Sequence, residues 1–173
     1  IPFENRIRVE PFFFERGASP TLIYASAPHR GLYELVQAFP FIRSYVPGIT
    51  LNVYSSMEMY GVPREEDRYS ILYDKCKNTE GINYVGSVNQ TELSEALLTA
   101  DIFSYPCTFE ETSCITLMQS MACGCFPIFN DLGALVETSG GFGKSFKMSK
   151  EDSAEKFISQ FSYFLIQCIA EIY

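Results

Sequence analysis

Two adjacent carboxylates, Glu110 and Glu111, stand in a short polar stretch just ahead of an apolar helical pattern. From Asp101 to Asp131 the chain reads DIFSYPCTFEETSCITLMQSMACGCFPIFND. An ionised carboxylate accepts hydrogen bonds from hydroxyl groups. The helix that starts at Ser113 offers unpaired N–H groups and a partial positive charge, which suit phosphate. A carboxylate repels a phosphate beside it, so Glu111 fits sugar hydroxyls better. The two features together point to a phosphorylated sugar or a nucleotide sugar. The plainer alternative stays open here: both glutamates solvate a loop and favour the helix N-terminus. A glycosidase pair is excluded, because adjacent side chains point apart and such carboxyl groups stand ~5 Å or more apart across a substrate.

The remaining chemistry-bearing residues exclude more than they propose. His29 is the only histidine, so a triad or zinc site would rest on it alone. It follows the first strand and either touches phosphate or sugar or is an ordinary loop residue. Cysteines at 76, 107, 114, 123, 125 and 168 lack the spacing of a disulfide framework and read as free, buried thiols. Cys123-Gly124-Cys125 is too tight for a zinc knuckle, and no second Cys/His pair follows, so no metal site is expected. Gly143-Lys144-Ser145 ends like a P-loop, but Thr138 stands where that motif needs glycine. A strand-like Ser145 to Met148 follows it in place of a helix.

These residues need elements to hold them, and the apolar pattern supplies strands alternating with helices. Strands are predicted at Thr21 to Ser26, Ile49 to Tyr54, Ile82 to Val85, Asp101 to Pro106 and Cys125 to Phe129. A helix from Leu32 kinks or ends near Pro40. Others cover Glu66 to Lys77, Thr91 to Ala100 with a partial capping box, and Ser113 to Cys123 capped by Ser113. A last helix starts in Ser149 to Asp152 and turns Phe157, Phe161, Phe164, Leu165 and Cys168 inward. Residues 55–65 are a loop, and a turn lies within 132–144. Strand, helix and parallel strand in alternation make a doubly wound, Rossmann-like sheet of the α/β class with helices on both faces. Ligands of such sheets collect at the carboxyl ends of the strands, where Cys107 to Thr112 fall.

With 173 residues, 47% of them hydrophobic, the chain can bury one domain's core. Residues 1–19, with the Phe12-Phe13-Phe14 cluster, read as a linker or hinge segment ahead of a domain at 20–173. The phenylalanines pack either on this domain or on another. Mean hydropathy of +0.02 and no apolar run near ~18 residues argue against a transmembrane segment. No secretory leader is read at the start, so the expected compartment is the cytoplasm. A net charge of −8 argues against nucleic acid or an anionic membrane as the main partner.

The stretch around Glu111 resembles the donor-binding motif of the glycosyltransferase group 1 family, retaining sugar transferases of the GT-B fold. That pattern is E-x7-E followed by A-M-A-x-G-x-P. Here Glu111, seven residues and Gln119 precede Ser120-Met121-Ala122-Cys123-Gly124-Cys125-Phe126-Pro127, with one extra residue before the proline. Arg30-Gly31-Leu32 falls where the family carries a basic residue that neutralises the donor diphosphate. A second family arginine, about five residues earlier, is replaced by Ala25 or Ser26. Gly86-Ser87-Val88 opens the family pattern G-x-V-x-x-x-E-L, completed at Glu92-Leu93. The likeness covers roughly residues 20–165.

The resemblance implies the C-terminal, nucleotide-sugar-binding half of a GT-B enzyme. Glu111 would orient the transferred sugar and Arg30 would neutralise diphosphate. Thr112, Ser113, Cys114, Ile115 and Thr116 would cradle phosphate and sugar. Gln119, glutamine where the family has glutamate, would hold ribose, and Gly86, Ser87 and Val88 would lie against the base. The family needs no metal or other cofactor; the nucleotide-diphosphate sugar is a substrate. An N-terminal domain with the acceptor site would complete the enzyme, and this chain by itself would bind donor weakly and transfer nothing. Its exposed cleft face would favour self-association. Two other readings stand beside this one: a non-catalytic binding or scaffolding module, motivated by Gln119 and the missing arginine, and a sugar-nucleotide epimerase of the same fold.

Overall fold

The computed structural model describes residues 19–149 and 151–172. Nearly all of the linker expected at 1–19, with Phe12 to Phe14, lies outside these residues. Six parallel strands form one sheet in the order β3-β2-β1-β4-β5-β6. They are β1 (Thr21–Ala25), β2 (Thr50–Tyr54), β3 (Ile82–Tyr84), β4 (Ile102–Tyr105), β5 (Phe126–Asn130) and β6 (Lys144–Phe146). The helices are α1 (Leu32–Tyr45), α2 (Ser70–Asn78), α3 (Gln90–Thr99), α4 (Ile115–Ala122), α5 (Leu135–Ser139) and α6 (Ala154–Ile172). α1 and α6 pack together, while α4 packs against α3 and α5. Every residue of β4, and Leu22 to Ala25 of β1, is buried, as strands covered by helices on both faces require.

The register of the two central strands is set at their starts. Asp101 accepts from the Thr21 N–H through Oδ2 at 2.7 Å and returns its own N–H to the Thr21 carbonyl at 3.0 Å. Leu22 then pairs with Ile102, and Ile23 with Phe103. The chain winds outward from β1 to β3, returns to the centre as β4 and winds the other way. The connections after β1 and β4 therefore leave the sheet in opposite directions, and a crevice opens between their carboxyl ends.

Several boundaries differ from the sequence pattern. α1 runs through Pro40, which lies on its exposed side, where water can satisfy the carbonyl that loses its partner. α2 starts at Ser70 and not at Glu66, because Asp67 folds back: its Oδ1 accepts from the Tyr69 N–H at 2.9 Å and its Oδ2 from the Tyr73 hydroxyl at 2.8 Å. Two short 3-10 turns, Glu58–Tyr60 and Arg64–Glu66, occupy the preceding stretch. α3 is capped by Asn89, which forms a full capping box with Glu92, so Thr91 lies inside the helix. α4 starts at Ile115 after Cys114, and Ser113 makes no cap. α6 starts at Ala154, where the Ser153 hydroxyl accepts from the Lys156 N–H at 3.3 Å. The turn expected within 132–144 contains the short helix α5.

Candidate functional site

The crevice between β1 and β4 is a cleft of about 730 Å³. Its walls include Arg30, Gly86, Ser87, Val88, Glu111, Thr112, Ser113, Cys114, Ile115, Thr116 and Gln119. All the binding residues anticipated from sequence thus converge on one space, although they come from three separate connections.

Close backbone approaches build the floor. Gly31 has φ +105°, and a Cβ there would stand 1.8 Å from the Pro106 carbonyl oxygen. Only glycine lets the start of α1 lie against the end of β4. Gly133 has φ +60°, and a Cβ there would come within 2.5 Å of the Glu111 carbonyl oxygen and 2.6 Å of its nitrogen. The Ala134 N–H donates to that same carbonyl at 2.7 Å. The loop ahead of α4 is therefore clamped from both sides.

Glu111 is 5% exposed. Arg30 Nη1 donates to its Oε1 at 2.8 Å and its Oε2 at 3.1 Å. The Tyr105 hydroxyl donates to Oε1 at 2.7 Å. Tyr105 is wholly buried, and burial above all pushes its phenol far above the ordinary value, so it stays protonated. Arg30 loses basicity by burial, but Glu111, Tyr60 and Tyr105 outweigh that loss and hold its guanidinium above the ordinary value. Its Nε is buried without a partner, and its guanidinium lies 4.7 Å from the centre of the Phe109 ring. The sequence motifs assign Arg30 and Glu111 separate tasks; in the structure they also bind each other.

The other end of the cleft is looser. Gln119 donates from Nε2 to the Gln90 side-chain oxygen at 2.9 Å, a partner sequence did not single out. Ser87 is exposed, and the turn at Gly86, with φ +91°, hangs from β2 through N–H bonds of Val85 and Gly86 to the Val53 carbonyl. His29 lies beside the rings of Tyr60 and Phe109, two residues of the cleft wall, at 6.2 and 5.9 Å. Burial first, then Arg30 and Arg68, lower its pKa below the ordinary value.

Cys107 and Cys114 flank the glutamate loop. Burial pushes both thiols up to about 11, so neither is an activated nucleophile. All six cysteines are free, and all but the half-buried Cys123 are buried. Among the described residues, no three His, Cys, Asp or Glu side chains are grouped to hold a metal ion. Among them, too, no helix is long and apolar enough to cross a membrane.

A parallel sheet with a crevice at its central switch point, lined by a cation, a carboxylate and a helix start, defines a Rossmann-like α/β domain with a site suited to an anionic, hydroxyl-rich ligand. Residues 20–165 match the family model of the glycosyl transferases group 1, and the chain belongs to that family. It is 25% identical, over 133 residues, to a phosphatidyl-myo-inositol mannosyltransferase of Propionibacterium freudenreichii subsp. shermanii, covering 75% of this chain and 30% of the relative. Among solved structures it resembles the pneumococcal O-GlcNAc transferase GtfA in complex with UDP and GlcNAc, at a TM-score of 0.68 and 18% identity over 87% of this chain and 29% of that one. It also resembles Anabaena HepE in complex with UDP-glucose, at 0.63 and 15% over 89% and 40%. The fold is the Rossmann-like one of GT-B glycosyltransferases, and the chain spans about a third of the length of these relatives.

Proposed function

We propose that this chain is the donor-binding half of a retaining glycosyltransferase that takes a hexose from a nucleotide-diphosphate sugar. The observation that carries the reading is the meeting of Arg30, Glu111 and the α4 start in one cleft, with the Gly86 to Val88 turn and Gln119 at its other end. The diphosphate lies between Arg30 and the N–H groups from Ser113 to Thr116. The sugar's hydroxyls face Glu111, the ribose faces Gln119 and the base rests on the Gly86 to Val88 turn. Charge growing on the leaving diphosphate is stabilised by Arg30 and the helix start, which need no metal. A second domain supplies the acceptor site, so the chain by itself binds donor and does not transfer it. The proposed setting is cytoplasmic.

A non-catalytic nucleotide-sugar-binding module is the second reading. Gln119 for glutamate, and Ala25 or Ser26 for the family's second arginine, favour it. Thermal unfolding against UDP, GDP and ADP, each free and as its glucose and mannose ester, tests both. A ligand at ~100 times its Kd adds ~2.7 kcal/mol, which at this size raises the midpoint by roughly 5–10 °C. One base-and-sugar pair is expected to do so, and Glu111→Ala to remove the sugar's share. No shift with any ligand contradicts donor binding by this chain. Transfer activity of the same chain joined to its acceptor domain separates the enzyme from the module.

A further inference from the structure

Glu111 has two side-chain partners, Arg30 and Tyr105, and the proposed diphosphate competes for one of them. Arg30 holds both Glu111 oxygens through Nη1 alone, at 2.8 and 3.1 Å, and its Nε has no partner, so a diphosphate drawn to the guanidinium competes with Glu111 for the same cation. A carboxylate with a side chain only 4% exposed then shares its cation with the phosphates. The other partner is Tyr105, at 2.7 Å from Oε1. We propose that Tyr105 is the positioning residue that holds Glu111 toward the sugar while the diphosphate engages Arg30, with Ser26 orienting Tyr105 in turn. The inference rests on the donor reading above and deepens it.

The direction of each bond follows from the donors available. Tyr105 has one hydroxyl proton, and the short contact to a carboxylate takes it. Its 3.2 Å contact with Ser26 Oγ is therefore a bond in which Ser26 donates and the phenol oxygen accepts. A chain runs from Ser26 through Tyr105 to Glu111 Oε1, and Oε2 remains to accept from a sugar hydroxyl. The ring cannot drift: it lies 5.3 Å from Phe103 and 5.8 Å from Tyr24, in a strand with no exposed residue. Ser26 falls at or next to the position where the family's second arginine is absent. Its hydroxyl serves the carboxylate of the sugar site.

The test compares the affinity of a hexose ester with that of its nucleoside diphosphate by calorimetry, using the pair with the largest shift among the UDP, GDP and ADP compounds. Tyr105→Phe keeps the ring and removes the bond. It is expected to lower the ester-over-diphosphate preference about tenfold, the worth of a hydrogen bond to a charged group, while changing diphosphate affinity less than twofold. Ser26→Ala lies away from the core packing and is expected to lower the preference about threefold. Glu111→Gln is the reference that loses the preference. If Glu111→Gln loses it and Tyr105→Phe retains it, the positioning role is overturned and the donor reading stands. Equal loss of ester and diphosphate affinity in Tyr105→Phe overturns it as well, because a merely structural role acts that way. If the wild type does not prefer the ester, the donor reading falls and the positioning role with it.

Discussion

The two ends of the cleft are built on different principles. At one end Glu111 is buried, held by Arg30 and Tyr105, and its backbone is wedged by Gly133 and Ala134. At the other, Gln119 donates one hydrogen bond to the Gln90 side-chain oxygen near the surface, and Ser87 is exposed beside a turn hung from β2. The first end is held by buried bonds, as the proposed orientation of a reacting sugar would require. The second has few anchors of its own, so the nucleoside proposed there would gain affinity through backbone contacts and adaptable amides. Damage at the first end should cost folding as well as binding, whereas changes at the second should retune binding alone.

The glycine clamps give the largest break in that contrast. Gly31→Ala places a Cβ against the Pro106 carbonyl in a left-handed conformation and is expected to lower unfolding free energy by about 3–4 kcal/mol in urea titration. A loss under about 1 kcal/mol would mean that the approach of α1 to β4 yields easily. Arg30→Met comes next. It leaves Glu111 buried with Tyr105 as its remaining side-chain partner, which predicts a loss of about 1–3 kcal/mol and at least tenfold weaker nucleoside diphosphate binding. Unchanged binding would remove the diphosphate from this end.

At the looser end, Gln119→Glu restores a charged acceptor while Gln90 can turn its amide to donate. Nucleoside diphosphate binding is expected to tighten about two- to fivefold, with stability unchanged within about 0.5 kcal/mol. Weaker binding would contradict a ribose at Gln119. The smallest effect concerns pH. His29 binds its proton more weakly when folded than when unfolded. Stability should hold above the unfolded value of 6.5 and fall as pH drops below it, through the lower folded pKa. His29→Gln should flatten that slope in denaturation curves between pH 7.5 and 5; a slope of opposite sign would contradict the environment described for this residue.

Much of this was legible in sequence because parallel sheets write themselves as repeated apolar runs. The five predicted strands and the strand-like stretch after Gly143 correspond to β1 to β6, and every site residue drawn from the family motifs lies in the cleft. Helix starts were less legible. Thr91, Ser113 and Ser149 are ordinary capping types, but whether a hydroxyl meets an N–H depends on how the preceding loop arrives. Asn89 and Ser153 arrive in the right geometry instead. The pairing of Arg30 with Glu111 could not be read from either motif. It spans 81 positions and exists because β1 and β4 are neighbours in the sheet. Tyr105 carried one faint signal, a phenol at the end of a strand otherwise fit for full burial, which needs a partner for its hydroxyl. The partner became visible only when the loop after β4 folded back over that strand's end.

The central claim is that one cleft holds a nucleotide diphosphate with its phosphates on Arg30 and the α4 start. A crystal structure of this chain with the best-binding nucleoside diphosphate tests it most directly. The account predicts a phosphate oxygen within hydrogen-bond distance of the Arg30 guanidinium and of an N–H between Ser113 and Thr116. It also predicts that Tyr105 is still bonded to Glu111 Oε1. A nucleotide bound elsewhere, or bound in the cleft with the Arg30–Glu111 pair intact and no phosphate on either group, would contradict it.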